Sequence, residues 1–262
     1  MIRWTLNHVS TPVILIVSVT VALAVGYVAE LLADRAFADR SDDARKELND
    51  MLKASIGFIG ITLAIITGLV LGNQRDVEVA ATANVSNEAA AIRVSDNVLA
   101  ELPAPVRAPV ATALTAYTRA VTGSGFAELR NGRRSAATAR TYQDLGRAIL
   151  ALKESGDTNT AMLKGTLYNE WTAIGGLRND RFELANRELS PELWILLITT
   201  GLLTVVVVAG FTAEGRADRF ATFGAALTVG LIVFAAIALS YPFSGSISVS
   251  PAPIARSVLT TY

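Results

Sequence analysis

The stretch from residue 54 to residue 102 constrains the fold most, because an apolar segment runs into a polar one without a helix breaker. Residues 54–72 are uncharged and about long enough to cross a hydrocarbon core of ~30 Å. Residues 73–102 contain no Gly or Pro, their apolar residues recur at helical spacing, and Pro103 ends the pattern. We therefore predict one helix of roughly 70 Å, half in lipid and half offering an apolar stripe to other helices.

The composition favours a membrane protein and excludes several functions. Of the 262 residues, 52% are hydrophobic, which is high for a soluble domain of this length. The absence of Cys and the single His, His8, leave no thiolate or imidazole cluster for a metal. A net charge of zero without a basic cluster leaves no footprint for nucleic acid. Since the sequence also lacks a catalytic triad and a phosphate-binding loop, we expect no metal, no cofactor and no enzyme activity.

Four apolar stretches predict four transmembrane helices in a lipid bilayer, and hence an all-α membrane protein. The spans are expected at residues 12–32, 54–72, 193–212 and 220–240. Ser190 and Pro191 suit the start of the third span, and Trp194 suits its interface with water. The chain therefore divides into a transmembrane hairpin, an extramembrane segment, a second hairpin and a tail, at residues 1–72, 73–190, 191–241 and 242–262.

The segment between spans two and three predicts a helical domain built on the second half of the long helix. Its further helical stretches are separated by turn signals and lie at residues 105–121, 133–153 and 158–189. Gly123-Ser124-Gly125 is expected to close the first of them, and Asp157 or Thr158 to cap the last. No stretch in this segment alternates between apolar and polar residues as a strand does.

Lysine and arginine residues in short loops predict the orientation of the spans. The two short connectors, residues 34–53 and 214–219, carry seven of these residues, against Arg3 and Arg256 in the two tails. We therefore expect both connectors in the cytoplasm of a cell with this protein in its inner or plasma membrane. Both termini and residues 73–190 are then extracytoplasmic.

Span two has two distinct faces that suggest a pore. One face carries small residues at helical spacing, which permit close approach by another helix: Gly57, Gly60, Ala64, Gly68 and Gly72. About 100° or more around the axis, a second stripe holds Ser55, Thr62, Leu69 and Asn73, continued by Asp76. The second stripe is a candidate pore wall at the axis of a homo-oligomer. The alternative is that its hydroxyls bond their own helix and that the small face packs within one chain.

The positions of the charged residues argue against active transport. No Asp, Glu, Lys, Arg or His lies in the middle of a span, although proton relays and coupled transporters normally need such groups. Glu30, near the end of span one, is expected to reach the interface. Glu88 lies on the long helix, and a buried Glu–Arg pair can join it to the last outer helix. The arginines of that helix are Arg178, Arg181 and Arg187.

The C-terminal tail is expected to fold back onto the outer layer. Pro242 disfavours a helix here, and Phe243 is too apolar to be left in water. We expect Phe243 between the outer ends of the spans or at the base of the long helix, with Gly245 allowing a tight turn. Ile247 and Val249 should then cover the apolar stripe of the long helix. The alternative is a loose interfacial tail.

Several motifs together resemble one family, the bacterial membrane proteins with a bestrophin-like domain. The most specific is the tail, residues 241–251, which is similar to the family's closing Asn-or-Tyr-Pro-Phe-x-Gly motif and ends at Pro251. The supporting motifs are Asn49-Asp50, Glu88-Ala89-Ala90-Ala91, Leu102-Pro103, Ala116–Val121 and Leu189–Trp194. The chain departs from the family at Gly123-Ser124-Gly125, where the family often has a Glu-Trp pair.

The resemblance implies four spans with a helical domain inserted between the second and the third. It links the chain to bestrophins, which are anion channels that assemble as pentamers around their second span. Span two shows no evident bestrophin pore signature. By analogy we expect a homo-oligomeric ion channel, selective for anions, with span two lining the pore. The alternative is a non-conducting scaffold or accessory subunit that holds another membrane protein through the outer helical domain.

Overall fold

The computed structural model describes residues 2–37, 41–152, 158–211 and 216–257, and these ranges contain helices and no strand. The helices are α1 Ile2–His8, α2 Thr11–Phe37, α3 Asp42–Ala100, α4 Ala104–Ala120, α5 Phe126–Arg130, α6 Ala136–Leu150, α7 Thr158–Asn186, α8 Pro191–Phe211, α9 Arg216–Ala238 and α10 Ala252–Ala255. A π-helical segment, Val121–Gly125, joins α4 to α5. The predicted cap at Asp157 or Thr158 and most of the 214–219 turn lie outside the described residues and side chains.

The long helix α3 is longer than predicted. It contains 59 residues, which corresponds to about 88 Å. The charged stretch before residue 54 was expected to be a connector, but its residues from Asp42 onward form the first three turns of α3. That stretch contains no Gly or Pro and is rich in good helix formers, so nothing in it stops the helix. The helix ends at Ala100, and Pro103 lies before the first residue of α4.

Four helices, α2, α3, α8 and α9, are long and apolar enough to cross a membrane. The first half of α3 packs its Leu63, Ile66 and Val70 against α8 and α9. Helices α2, α8 and α9 form a second contact in which small residues allow close approach, such as Gly26 against Ala226. As predicted, Pro191 begins α8, and the Ser190 hydroxyl accepts a hydrogen bond from the backbone N–H of Leu193.

Helices α4 and α7 pack on the second half of α3, and α6 packs on α4 and α7, around the largest apolar core of the described residues. The core includes the α3 side chains that the helical period predicted to face inward: Ala81, Val85, Ala89, Ile92 and Leu99. Partners from the other helices include Leu114, Leu145, Leu167 and Ile174, all with at most 2% of their surface exposed. The helix α3 therefore contributes to two apolar clusters, one along its first half and one along its second half.

The glycines at 123–125 do not end a helix, which corrects the prediction for this turn. The chain continues from α4 through the π-helical segment into α5 and reverses only at Gly132, whose φ is +70°. Gly125 is required for packing instead. A Cβ there would lie 2.9 Å from the Thr138 hydroxyl oxygen and 3.2 Å from the Ala120 carbonyl oxygen. The missing side chain therefore lets α6 approach the π-helical segment closely.

The tail folds back, but Phe243 takes a different place from the one expected. Its ring is 2% exposed and lies edge-on to Phe126, with ring centroids 5.9 Å apart, inside the core formed by α3, α4 and α6. Gly245 has a φ of +79°, a conformation that favours glycine. Val249 packs against the same core, whereas Ile247 is 50% exposed and lines a groove beside Val85 of α3.

We predict that Phe243→Ala lowers the free energy of unfolding by about 3–5 kcal/mol, because the substitution leaves a cavity beside Phe126. Thermal or denaturant unfolding in mild detergent measures this change. Ile247→Ala is the matched control from the same tail, and we expect it to cost less than about 1 kcal/mol because its side chain is half exposed. Equal stabilities for the two variants would show that the tail clamps nothing.

Candidate functional site

Among the described residues, one face of the candidate span in α3, residues 54–72, packs against no other part of the chain, and this span is called the membrane half of α3 below. The face opposite the buried Leu63 and Val70 carries the small residues predicted to pack against another helix. A Cβ built on the following glycines meets no atom within 4 Å: Gly57, Gly60, Gly68 and Gly72. Ala64, between them, is also exposed. These small residues permit another helix to approach closely, but no helix of the same chain does so.

Glycines in the other apolar helices behave differently. A Cβ on each of four of them would lie 2.9–3.1 Å from another helix of the same chain: Gly26, Gly201, Gly210 and Gly230. Gly224 on α9 has open space around it. The outer surfaces of α2 and α8 instead present Val, Ile and Leu, as lipid-facing surfaces do. Only α3, among these four helices, has a run of glycines on its open face.

The structure places the predicted polar stripe at the border of this open face. Ser55, Asn73 and Asp76 are exposed, as is Leu69, whereas Thr62 is half-buried. The Ser55 hydroxyl donates to the Met51 carbonyl at 3.0 Å, and the Thr62 hydroxyl donates to the Phe58 carbonyl at 2.9 Å. Both hydroxyls are thus satisfied by their own helix, as one of the two sequence interpretations allowed.

A ridge of large apolar side chains borders the small residues, and the sequence analysis named only one of its members, Leu69, as part of the polar stripe. Its members are Phe58, Ile61, Ile65 and Leu69, with exposed fractions of 75%, 64%, 66% and 56%. The spacing of three and four residues puts them on one side of α3. Because every residue from 54 to 72 is uncharged and most are apolar, no contrast in the pattern separates this ridge from a buried face.

Glu88 joins the second half of α3 to two other helices. Its side chain is fully buried, and its Oε1 accepts a hydrogen bond of 2.5 Å from the Tyr117 hydroxyl of α4. Its other carboxylate oxygen pairs with the guanidinium of Arg181 on α7, whose side chain is 6% exposed. Burial raises the pKa of Tyr117, so this phenol stays protonated and remains a donor. The carboxylate therefore has a partner for each oxygen.

The three candidate arginines have different roles. Arg181 forms the predicted Glu–Arg pair. Arg178 does not, because its guanidinium lies over the ring of Tyr142, 4.5 Å from the ring centroid. Arg187 is exposed at the end of α7. The sequence could place all three on one helix but could not decide which of them faces Glu88.

Arg3 and Asn7 of α1 form contacts that the sequence analysis did not anticipate. Arg3 donates to the Ala185 carbonyl at 2.6 Å and to the Asn186 side-chain oxygen at 3.0 Å, at the C-terminal end of α7. Asn7 donates to the Arg130 carbonyl at 2.8 Å and accepts from the Gly245 backbone N–H at 3.3 Å. The N-terminal helix therefore ties the tail to α5 and α7. A lone arginine before an apolar run carries no sequence signal for such a contact.

Glu30 is buried within the protein near the end of α2, and the expectation that it reaches the interface stays a prediction. It is 5% exposed, and its carboxylate lies 3.9 Å from the guanidinium of Arg219, which also approaches Asp34 at 3.4 Å. These contacts join the end of α2 to the beginning of α9. Among the described residues, no group of three or more His, Asp and Glu side chains could hold a metal ion.

Together the apolar helices, the open face of α3 and the helices packed on its second half define a class, the all-helical membrane proteins with four candidate spans. A family model, the bestrophin-like domain, matches residues 20–254, and the chain therefore belongs to the bestrophin-like family. The resemblance read from the sequence motifs is confirmed. No curated protein matches the sequence.

Solved structures show the same fold. They include a bacterial bestrophin homologue from Klebsiella pneumoniae carrying a tryptophan-to-alanine substitution, with 16% identity and a TM-score of 0.73 over 93% of this chain and 95% of that chain. A leucine-to-threonine variant of the homologue has 16% identity and a TM-score of 0.69, covering 93% and 96%. The structure obtained by zinc SAD phasing has 17% identity and a TM-score of 0.66, covering 93% and 97%.

We predict that Glu88→Gln lowers the free energy of unfolding by about 3–5 kcal/mol, because it leaves the buried Arg181 without its counter-charge. Tyr117→Phe should cost about 1.5–3 kcal/mol through loss of one hydrogen bond to a charged acceptor. The control is Asp144→Asn, which breaks the exposed pair with Arg147 and should cost less than about 1 kcal/mol. If Glu88→Gln and Asp144→Asn lowered the free energy of unfolding by the same amount, the buried contact of Glu88 with Arg181 and Tyr117 would not stabilise the fold.

Proposed function

We propose that this protein is a homo-oligomeric ion channel, not an enzyme, in which the membrane half of α3 lines the pore. The observation that carries the proposal is the glycine run on the open face of α3, which has no partner in its own chain. Membership of the bestrophin-like family supports it, because that family is named for channel proteins. Anion selectivity is proposed by the same analogy.

The glycine run favours a protein partner over lipid at this face. Each glycine in a helix interior costs roughly 1 kcal/mol relative to alanine. Lipid chains gain nothing from a bare backbone, whereas a second helix can approach it closely and gain packing contacts. In a closed ring of identical chains, the open face of every copy is covered by a neighbouring copy. The simplest partner is therefore a second copy of this chain.

Ring geometry assigns the three parts of the open face. Each helix of a ring touches one neighbour on either side and turns the surface between those contacts toward the axis. On α3 the small residues lie on one side of the ridge formed by Phe58, Ile61, Ile65 and Leu69, and the hydroxyls of Ser55 and Thr62 lie on the other side. The ridge therefore faces the pore, with Asn73 and Asp76 at its mouth. A pore narrowed by apolar side chains gates by excluding water.

The alternative is a non-conducting scaffold or accessory subunit. In that case the open face of α3 and the exposed surface of α4–α7 would hold a different membrane protein. A scaffold purified alone would be monomeric and would carry no current. A homo-oligomeric channel purified alone would assemble and would conduct ions.

Planar-bilayer recording of the purified protein tests the channel. We expect ion currents from the wild type, a larger conductance in Ile65→Ala because the smaller side chain widens the pore, and altered selectivity in Ile61→Lys because it adds a charge to the ridge. Ile198→Ala removes an equally branched side chain from the exposed surface of α8 and should leave the currents unchanged. Absence of current in the wild type, or identical currents in all the variants, would contradict a pore lined by α3.

We also propose that α4–α7 lie outside the membrane, on the extracytoplasmic side with both termini, as the Lys and Arg distribution indicates. The chain has no native Cys, so single cysteines can report the topology. In intact cells an impermeant thiol reagent should label Gln143→Cys on α6, and it should label Ser41→Cys only after permeabilisation. Both positions are exposed. The opposite pattern would place α4–α7 in the cytoplasm.

A further inference from the structure

A small cleft lies where the π-helical segment, the beginning of α6 and the C-terminal half of α7 meet. Its volume is about 40 Å³, and it lies outside the membrane half of α3 that the proposed channel uses. Four arginines line it: Arg133, Arg134, Arg178 and Arg181. The other lining groups include the Ser135 and Thr138 side chains and the backbone of Gly125. The cleft therefore concentrates positive charge and hydroxyl groups.

The described carboxylates neutralise only half of this charge. Arg133 pairs with Glu128 at 2.9 Å, and Arg181 pairs with Glu88. Arg134 instead donates to the neutral Asn179 amide oxygen at 2.9 Å, and Arg178 lies on the ring of Tyr142. In the described part of the chain, neither Arg134 nor Arg178 has a carboxylate within ion-pair distance. Two guanidinium charges thus share a small cleft without a counter-charge.

Two features of the backbone shape the cleft. Ser135 caps the 15-residue helix α6, so the positive end of the helix dipole points toward the cleft. The π-helical segment places Gly125 in the wall, where a Cβ would come within 2.9 Å of the Thr138 hydroxyl oxygen. Single π-helical turns are often found at functional sites. One wall is also rigid, because the Arg181 side chain is 6% exposed and fixed by Glu88.

We infer that this cleft binds one small inorganic anion of the size of chloride. Its volume exceeds the roughly 10–15 Å³ that a cavity needs to hold one water molecule, so the cleft has room for a halide ion. The bound anion lowers the repulsion between the guanidinium groups and stabilises the contact of α6 and α7 with the π-helical segment. The inference does not depend on ion conduction, since the cleft is built by α5, α6 and α7.

Thermal unfolding of the purified full-length protein in chloride, compared with gluconate at the same ionic strength, tests the site. We expect a saturable rise of the unfolding midpoint with chloride or bromide, and none with gluconate, which is too large for the cleft. In Arg178→Gln the apparent chloride affinity should fall about tenfold or more, because one charge-assisted hydrogen bond is lost. Arg134→Gln should act in the same direction.

The matched control is Arg147→Gln, which removes the same charge from an exposed position of α6 away from the cleft. Its chloride dependence should equal that of the wild type. Bromide anomalous scattering from crystals supplies a second readout that does not depend on the stability of the variants. A wild type without a halide-specific shift, or equal chloride dependence in Arg178→Gln and Arg147→Gln, would overturn the inference, whether or not the protein conducts ions.

Discussion

The structure depends on one helix, α3, remaining unbroken from the apolar layer into the helices that pack on its second half. One interaction fixes the direction in which that second half faces: the fully buried carboxylate of Glu88. A buried charge is costly unless every oxygen is paired, so Tyr117 and Arg181 must both be in place when α4 and α7 dock. The pair thereby specifies one rotation of α3 and, with it, the face that remains open in the membrane half.

The distribution of glycines distinguishes surfaces that contact protein from surfaces that contact lipid. Within the chain, glycines such as Gly26 and Gly230 lie where two apolar helices touch. The glycines of α3 have the same chemistry but lack a partner, although the ridge beside them exposes large apolar side chains. An incomplete surface of this kind is expected of a subunit whose packing is finished by its neighbours.

The sequence predicted the features that follow from local pattern. Apolar runs located the four candidate spans, the absence of Gly and Pro from residues 73–102 predicted the second half of α3, and the Ser190-Pro191 pair located the start of α8. The sequence did not predict the features that depend on which helix faces contact one another in the folded chain. Gly125 reads as a turn but serves close packing, and Arg3 reads as a topology signal but binds the end of α7. Apart from Leu69, the ridge was missed because every residue of the span is uncharged and most are apolar, so the pattern does not show which apolar side chains face outward.

The mass of the purified assembly in mild detergent, measured by light scattering for wild type and two glycine variants, tests the central claim most directly. The account predicts a wild-type particle of several 27.7 kDa chains, lost or disrupted in Gly68→Leu because a large side chain separates neighbouring α3 helices. Gly224→Leu, which enters open space on α9, should assemble as the wild type does. A monomeric wild type, or a Gly68→Leu assembly of unchanged mass, would contradict the claim that the open face of α3 joins the subunits.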